Sequence, residues 1–223
     1  MTNSLSRKEI TWGIGYTLFQ IFLLPTLIAP VAILLHMPKW ALNVTIFAIN
    51  FICTLVIYRH FLREEWQIVC KNLRKVLSFV PLGIGMYYIG TMLISSLNLL
   101  LCPQFRNLND ANISTMVEQS RLFMVIGTVI LVPTAEEMIF RGLLFRGIYD
   151  RCKIAAWILS AGLFSVVHIV GYIGKYTPLM LVLAFLQYLP AGIVLAFLYK
   201  KTGTIATPIL THTFINLIGI SMM

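Results

Sequence analysis

Residues 122–149 read LFMVIGTVILVPTAEEMIFRGLLFRGIY, an apolar run broken in its middle by Glu136, Glu137 and Arg141. As a helix it is about 42 Å long at about 1.5 Å per residue, more than the roughly 30 Å of a hydrocarbon core. It is therefore expected to tilt, to extend beyond the membrane on the cytoplasmic side, or to kink at Pro133. Ionised side chains at mid-bilayer cost at least about 2.5–3.5 kcal/mol each, so they turn to a protein interior or a water-filled cavity and find partners. Arg141 follows Glu137 by four residues and shares its helical face, whereas Glu136 points about 100° away. The spacing predicts a Glu137–Arg141 pair and a Glu136 that is free for chemistry. The alternative is a buried ionic network that only locks this helix to its neighbours.

The flanking sequence repeats the apolar pattern. The 223 residues are 59% hydrophobic and 11% charged, far from the roughly 25% charged of soluble domains. The fold class expected is all-α, a polytopic transmembrane bundle of about seven spans near 14–35, 41–61, 77–101, 122–149, 154–172, 178–199 and 203–222. The whole of 1–223 reads as one membrane domain, and its first apolar run is too long for a signal-peptide core, hence a retained span. The formal charge of +9 does not mark a nucleic-acid partner, because the basic residues gather at span ends and not along one solvated face. Alternate connections differ in Lys and Arg. Arg7, Lys8, Arg59, Arg63, Lys71, Arg74, Lys75, Arg146, Arg151, Lys153, Lys200 and Lys201 fall on one side; Lys39, Arg106, Arg121 and Lys175 fall on the other. The positive-inside rule puts the N-terminus in the cytoplasm and the C-terminus outside.

Smaller features complete the pattern. Trp66, Val69, Leu73 and Val76 recur at helical spacing among basic residues, as in an interfacial amphipathic helix or a plain topogenic cluster. Thr115 and Glu118 stand at capping-box spacing before the fourth span. Asn112-Ile113-Ser114 is a sequon that matters only in a secretory-pathway host. Cys53, Cys70, Cys102 and Cys152 form no CxxC pair and read as packing residues.

Two further spans carry histidines in apolar surroundings, His168 and His212. Counted from the presumed cytoplasmic helix ends, Glu136, His168 and His212 lie about 20, 21 and 14 Å along their helices. Asn216 stands four residues after His212 and shares its face; Phe164 stands four before His168 and reads as a packing neighbour that fixes the imidazole. A carboxylate and an imidazole on one cavity can hold and deprotonate a water, while a second His and an Asn can donate to an oxyanion. Two Glu and two His could instead bind Zn²⁺, but HExxH is absent and no thiolate contributes, so no cofactor is expected.

Glu136-Glu137-Met-Ile-Phe-Arg141, Phe164-Ser-Val-Val-His168 and His212-Thr-Phe-Ile-Asn216 form an ordered EExxxR, FxxxH, HxxxN set. This set resembles the CPBP (CAAX protease and bacteriocin-processing, Abi) family over about residues 120–220. The resemblance implies a helical intramembrane endopeptidase using a glutamate-activated water, with a membrane-embedded or lipid-associated peptide or protein as substrate. By that likeness Glu136 and His168 activate the water, His212 and Asn216 form the oxyanion site, and Glu137, Arg141 and Phe164 support the cavity. The short loops look bacterial, which brings in peptide maturation and, as the competing reading, a non-catalytic bacteriocin-immunity or partner-binding protein of the same fold. A small transporter is a third class; the motif residues gather in the last four spans and no inverted repeat is visible, which argues against it.

Overall fold

Ser6 opens the first helix by a reciprocal cap: its hydroxyl accepts from the Glu9 backbone N–H, and the Glu9 carboxylate accepts from the Ser6 N–H at 2.9 Å. From there the computed structural model, which describes residues 5–223, runs through eight helices and no strand among the described residues. They are α1 (Arg7–Leu34), α2 (Lys39–Ile57), α3 (Arg59–Leu101), α4 (Leu108–Gln119), α5 (Arg121–Tyr149), α6 (Lys153–Tyr172), α7 (Pro178–Thr202) and α8 (Ala206–Ser221). All but α4 and α8 are long and apolar enough to cross a membrane. Exposed Trp12, Phe22, Ile33, Ile52 and Ile89 on α1–α3 leave wide apolar faces for lipid to cover. The chain is a multi-pass membrane protein.

The expected span at 203–222 is the 16-residue α8, about 24 Å long and short of a full hydrocarbon core. The segment before the third span is helical, as expected, and α3 is two helices joined across a kink at Asn72 (φ −127°, ψ 25°), the first carrying most of the basic residues and the second the apolar span. Trp66 and Leu73 lie on its exposed side, while Val76 is buried. The Thr115–Glu118 capping box does not form, because Thr115 sits mid-helix and donates to the Ala111 carbonyl; the N-cap of α4 is Asn107.

Two helices carry wide, π-type turns just ahead of prolines, Phe19–Leu23 before Pro25 and Ile126–Leu131 before Pro133. A proline has no N–H to give to the preceding turn, and a widened turn accommodates that loss. The long fourth apolar run thus resolves its excess length by local rewinding, since a third such turn spans Met138–Phe145.

Three apolar clusters follow one another along α5. Phe145 meets Tyr58, Phe61, Tyr199 and Ile205 at one end, Phe140 meets Phe164, Val194, Leu195 and Leu198 in the middle, and Met124 and Val129 meet Met116, Val117 and Ile220 at the other end. α7 lies close on α6: a Cβ on Gly192 would come within 2.9 Å of Ala161 backbone atoms. Gly203, at φ 75°, ends α7 in the left-handed region and turns the chain into α8.

Two acids that look like ordinary connection residues in the sequence are buried fasteners. Glu9 accepts from the Phe61 N–H at 2.9 Å in the first turn of α3, and Glu65 accepts from the Thr204 hydroxyl at 2.7 Å and the Ile205 N–H at 2.9 Å at the entry to α8. A carboxylate there satisfies otherwise orphaned donors and meets the positive end of the helix dipole.

Candidate active site

α5 presents its two adjacent glutamates to different surroundings. Glu137 and Arg141 are fully buried, with Arg141 Nε 3.1 Å from Glu137 Oε2 in an ionic contact that is not aligned as a hydrogen bond. Arg141 Nη2 donates to the carbonyls of Ala191 and Gly192 at 3.4 and 3.2 Å, and its guanidinium lies 4.7 Å from the Phe164 ring centre. The close approach of α7 that Gly192 permits is what brings those carbonyls into reach. Glu137 has a second partner that spacing on α5 does not reveal: His212 Nδ1 is 3.0 Å from its Oε1. It therefore bridges α5 to α8 and is more than a counter-ion for Arg141.

Glu136 is partly exposed and meets the other side of the same His212 ring. Its Oε2 has no hydrogen-bond partner among the described residues; His212 Nε2 is nearest among the cationic groups, at 3.9 Å. Because His212 Nδ1 faces a carboxylate, its proton belongs there, and Nε2 is the nitrogen turned to Glu136 and the cavity.

His168 is fixed by two neighbours. Its Nδ1 lies 2.8 Å from the Phe164 carbonyl, so Nδ1 is an N–H donor, and in the neutral ring the lone pair is then on Nε2. Its ring stacks on Tyr188 at 4.3 Å and lies 4.6 Å from Phe164. Phe164 thus contacts Arg141, His168 and His212 at once. Asn216 donates from Nδ2 to the Thr128 carbonyl at 2.8 Å, within the wide turn of α5 that precedes Pro133. One Nδ2 hydrogen remains.

Glu136, His168, His212 and Asn216 all line one cavity of about 670 Å³. Glu137, Arg141 and Phe164 do not line it; they stand behind it. The cavity is walled further out by Asp110 and Asn112 of α4 and by Tyr172 and Lys175. A second, mostly apolar groove of about 570 Å³ lies between α1 and the α5–α6 pair, and Phe47, Val132, Glu136 and Val167 line both. Glu136 therefore stands where a chamber of mixed polar and apolar lining meets an almost wholly apolar groove. Among the described residues no group of three His, Cys, Asp or Glu is arranged to hold a metal.

Several residues of this site carry no motif. Tyr188 stacks on His168 and donates to Asn107 Oδ1 at 3.1 Å, and that same oxygen accepts from the Asn109 and Asp110 N–H groups at the start of α4. The polar run Asn107-Leu-Asn-Asp-Ala-Asn112 is the signal that could have found this wall, since so many amides in one short connection imply partners.

Residues 118–218 match the family model for type II CAAX prenyl endopeptidase Rce1-like proteins. A protein of Bacillus subtilis named "Putative membrane peptidase YdiL" is 32% identical over 101 residues, which are 45% of this chain and 37% of that protein. No solved structure matches.

Proposed function

We propose, from the match of residues 118–218 to the Rce1-like CAAX prenyl endopeptidase family model, that this chain is an intramembrane endopeptidase hydrolysing a membrane-associated peptide or protein with a water activated by Glu136. The observation that supports it most is Glu136 itself: a carboxylate whose Oε2 accepts no hydrogen bond among the described residues, on the wall of a cavity that His168 and His212 also line. A carboxylate placed there takes a proton from a water. His168, with Nε2 unprotonated, holds the same water from its other side. The hydroxide adds to the scissile carbonyl, and the oxyanion is met by the second N–H of Asn216 and by the Nε2–H of His212, whose second hydrogen is taken from cavity solvent before the addition. Glu137 steadies that doubly protonated ring, and Arg141 balances Glu137. The proton held by Glu136 then passes to the leaving amine as the C–N bond breaks.

The apolar groove supports a substrate that reaches Glu136 partly from the lipid side. The Lys and Arg asymmetry supports a cytoplasmic N-terminus and an external C-terminus, and the short loops support a bacterial role in peptide maturation. The test is mass spectrometry of membrane peptides from cells carrying the parent chain or Glu136→Gln. Parent-specific cleavage products that disappear in the variant are expected. Identical profiles, with the same phenotype in both, would instead favour the non-catalytic immunity or partner-binding reading.

A further inference from the structure

The outer half of the cavity is built by α4, which precedes the Rce1-like segment for most of its length. Asp110 stands in its first turn and lines the same cavity as Glu136 and His168. An acid in a first turn is favoured by the helix dipole, yet the cap of α4 is supplied wholly by the Asn107 side chain. Among the described residues, no hydrogen bond or ion pair ends on the Asp110 carboxylate. It is exposed on the cavity wall, and the protein around it pushes its carboxyl above the usual range while a charged His168 would pull it back.

α4 is not free to drift. Tyr188 donates to Asn107 Oδ1 at 3.1 Å, the Asn112 amide donates to the Tyr172 hydroxyl at 2.9 Å, and Tyr176 donates to the Arg106 carbonyl at 3.0 Å. Because Tyr188 also stacks on His168, the carboxylate is held in a fixed relation to the imidazole. Around it the cavity offers the amide side chains of Asn109 and Asn112 and the rings of Tyr87, Tyr172 and Tyr188. A lone carboxylate among amide oxygens and aromatic faces is a receptor for an ammonium or guanidinium group.

We propose that Asp110 binds a cationic nitrogen of the peptide, either a basic side chain or a terminal amine, in the outer cavity while the scissile bond lies at Glu136. The choice of ligand rests on the peptidase reading above. Lys175 is the counterweight: it lies on the same cavity wall with its ammonium 5.9 Å from the Tyr172 ring centre, and it makes no ion pair with Asp110 among the described residues. It repels the cation that Asp110 attracts.

The test measures binding, so that it does not depend on turnover. The full chain carrying Glu136→Gln is placed in lipid nanodiscs and titrated with short fluorescent apolar peptides bearing one Lys or one Gln, each with a free or an acetylated N-terminus. The expected result is about tenfold tighter binding of the cationic probes. Asp110→Asn should bring the members of each pair level, Asp110→Glu should keep most of the preference, and Lys175→Gln should widen it. The Lys/Gln pair and the free/acetylated pair show which nitrogen is read. Equal binding of all probes, no binding of any, or a preference that survives Asp110→Asn each overturns the proposal. Cleavage of the same peptides by the chain with Glu136 intact is scored separately. A charge preference without cleavage leaves Asp110 as a cation receptor and removes the peptidase reading.

Discussion

Glu136→Gln keeps the volume of the side chain and one of its oxygens while removing its basicity, so the fold should survive and peptide processing should fall by about 10²–10⁴, the range a general base contributes. Mass spectrometry of processed peptides, read beside an unchanged melting temperature, checks both halves of that expectation. Arg141→Ala is expected to do the opposite. It strips the counter-ion from a fully buried Glu137 and should cost about 3–5 kcal/mol, seen as lost folded yield and an earlier unfolding transition. Arg141→Lys should rescue little, because one ammonium cannot serve a carboxylate and two carbonyls in the plane that the guanidinium spans. The separate duties of these neighbouring acids were legible in the sequence, since Glu137 and Arg141 share a helical face and Glu136 does not. The His212 bond to Glu137 was not, because it joins residues 75 apart and only the packing of α8 on α5 creates it.

The helices that carry the chemistry were legible from apolar runs, and their internal irregularities were not. Nothing in the composition of Met138–Phe145 distinguishes a widened turn from an ordinary one, and the kink between the basic helix and the third span falls at Asn72, a residue that equally fits a loop. The fasteners escaped notice because a glutamate in a basic stretch reads as a solvated partner for Lys and Arg. Glu65 instead holds the entry to α8, the helix that delivers His212 and Asn216. Glu65→Gln should therefore cost about 1–2 kcal/mol of stability, measured by thermal unfolding in detergent, with activity falling in step. Gly192→Ala tests the seam between α6 and α7. A methyl group 2.9 Å from Ala161 backbone atoms must push the helices apart, costing about 1–3 kcal/mol and moving the two carbonyls that hold Arg141. Chemical-shift or cross-linking comparison of α6 and α7 in parent and variant would register that displacement.

For the molecule as a whole, orientation is the property that decides which compartment the cavity serves. Cys70 and Cys152 are exposed and lie among the basic connections, so an impermeant maleimide added to intact cells should miss both and reach them only after permeabilisation. A cysteine placed at Asn109 should label from outside; the reverse pattern would turn the cavity mouth to the cytoplasm. The long reach of the two buried fasteners has a different consequence, in time. Glu9 meets a donor 52 residues further along the chain, but Glu65 waits for residues 139 and 140 positions downstream. At about 5–20 residues per second, a ribosome supplies those two partners roughly seven to twenty-eight seconds after Glu65 itself. Throughout that interval the Glu65 carboxylate at the base of α3 lacks the two bonds that the entry to α8 supplies, and a chain stalled before α8 never makes them.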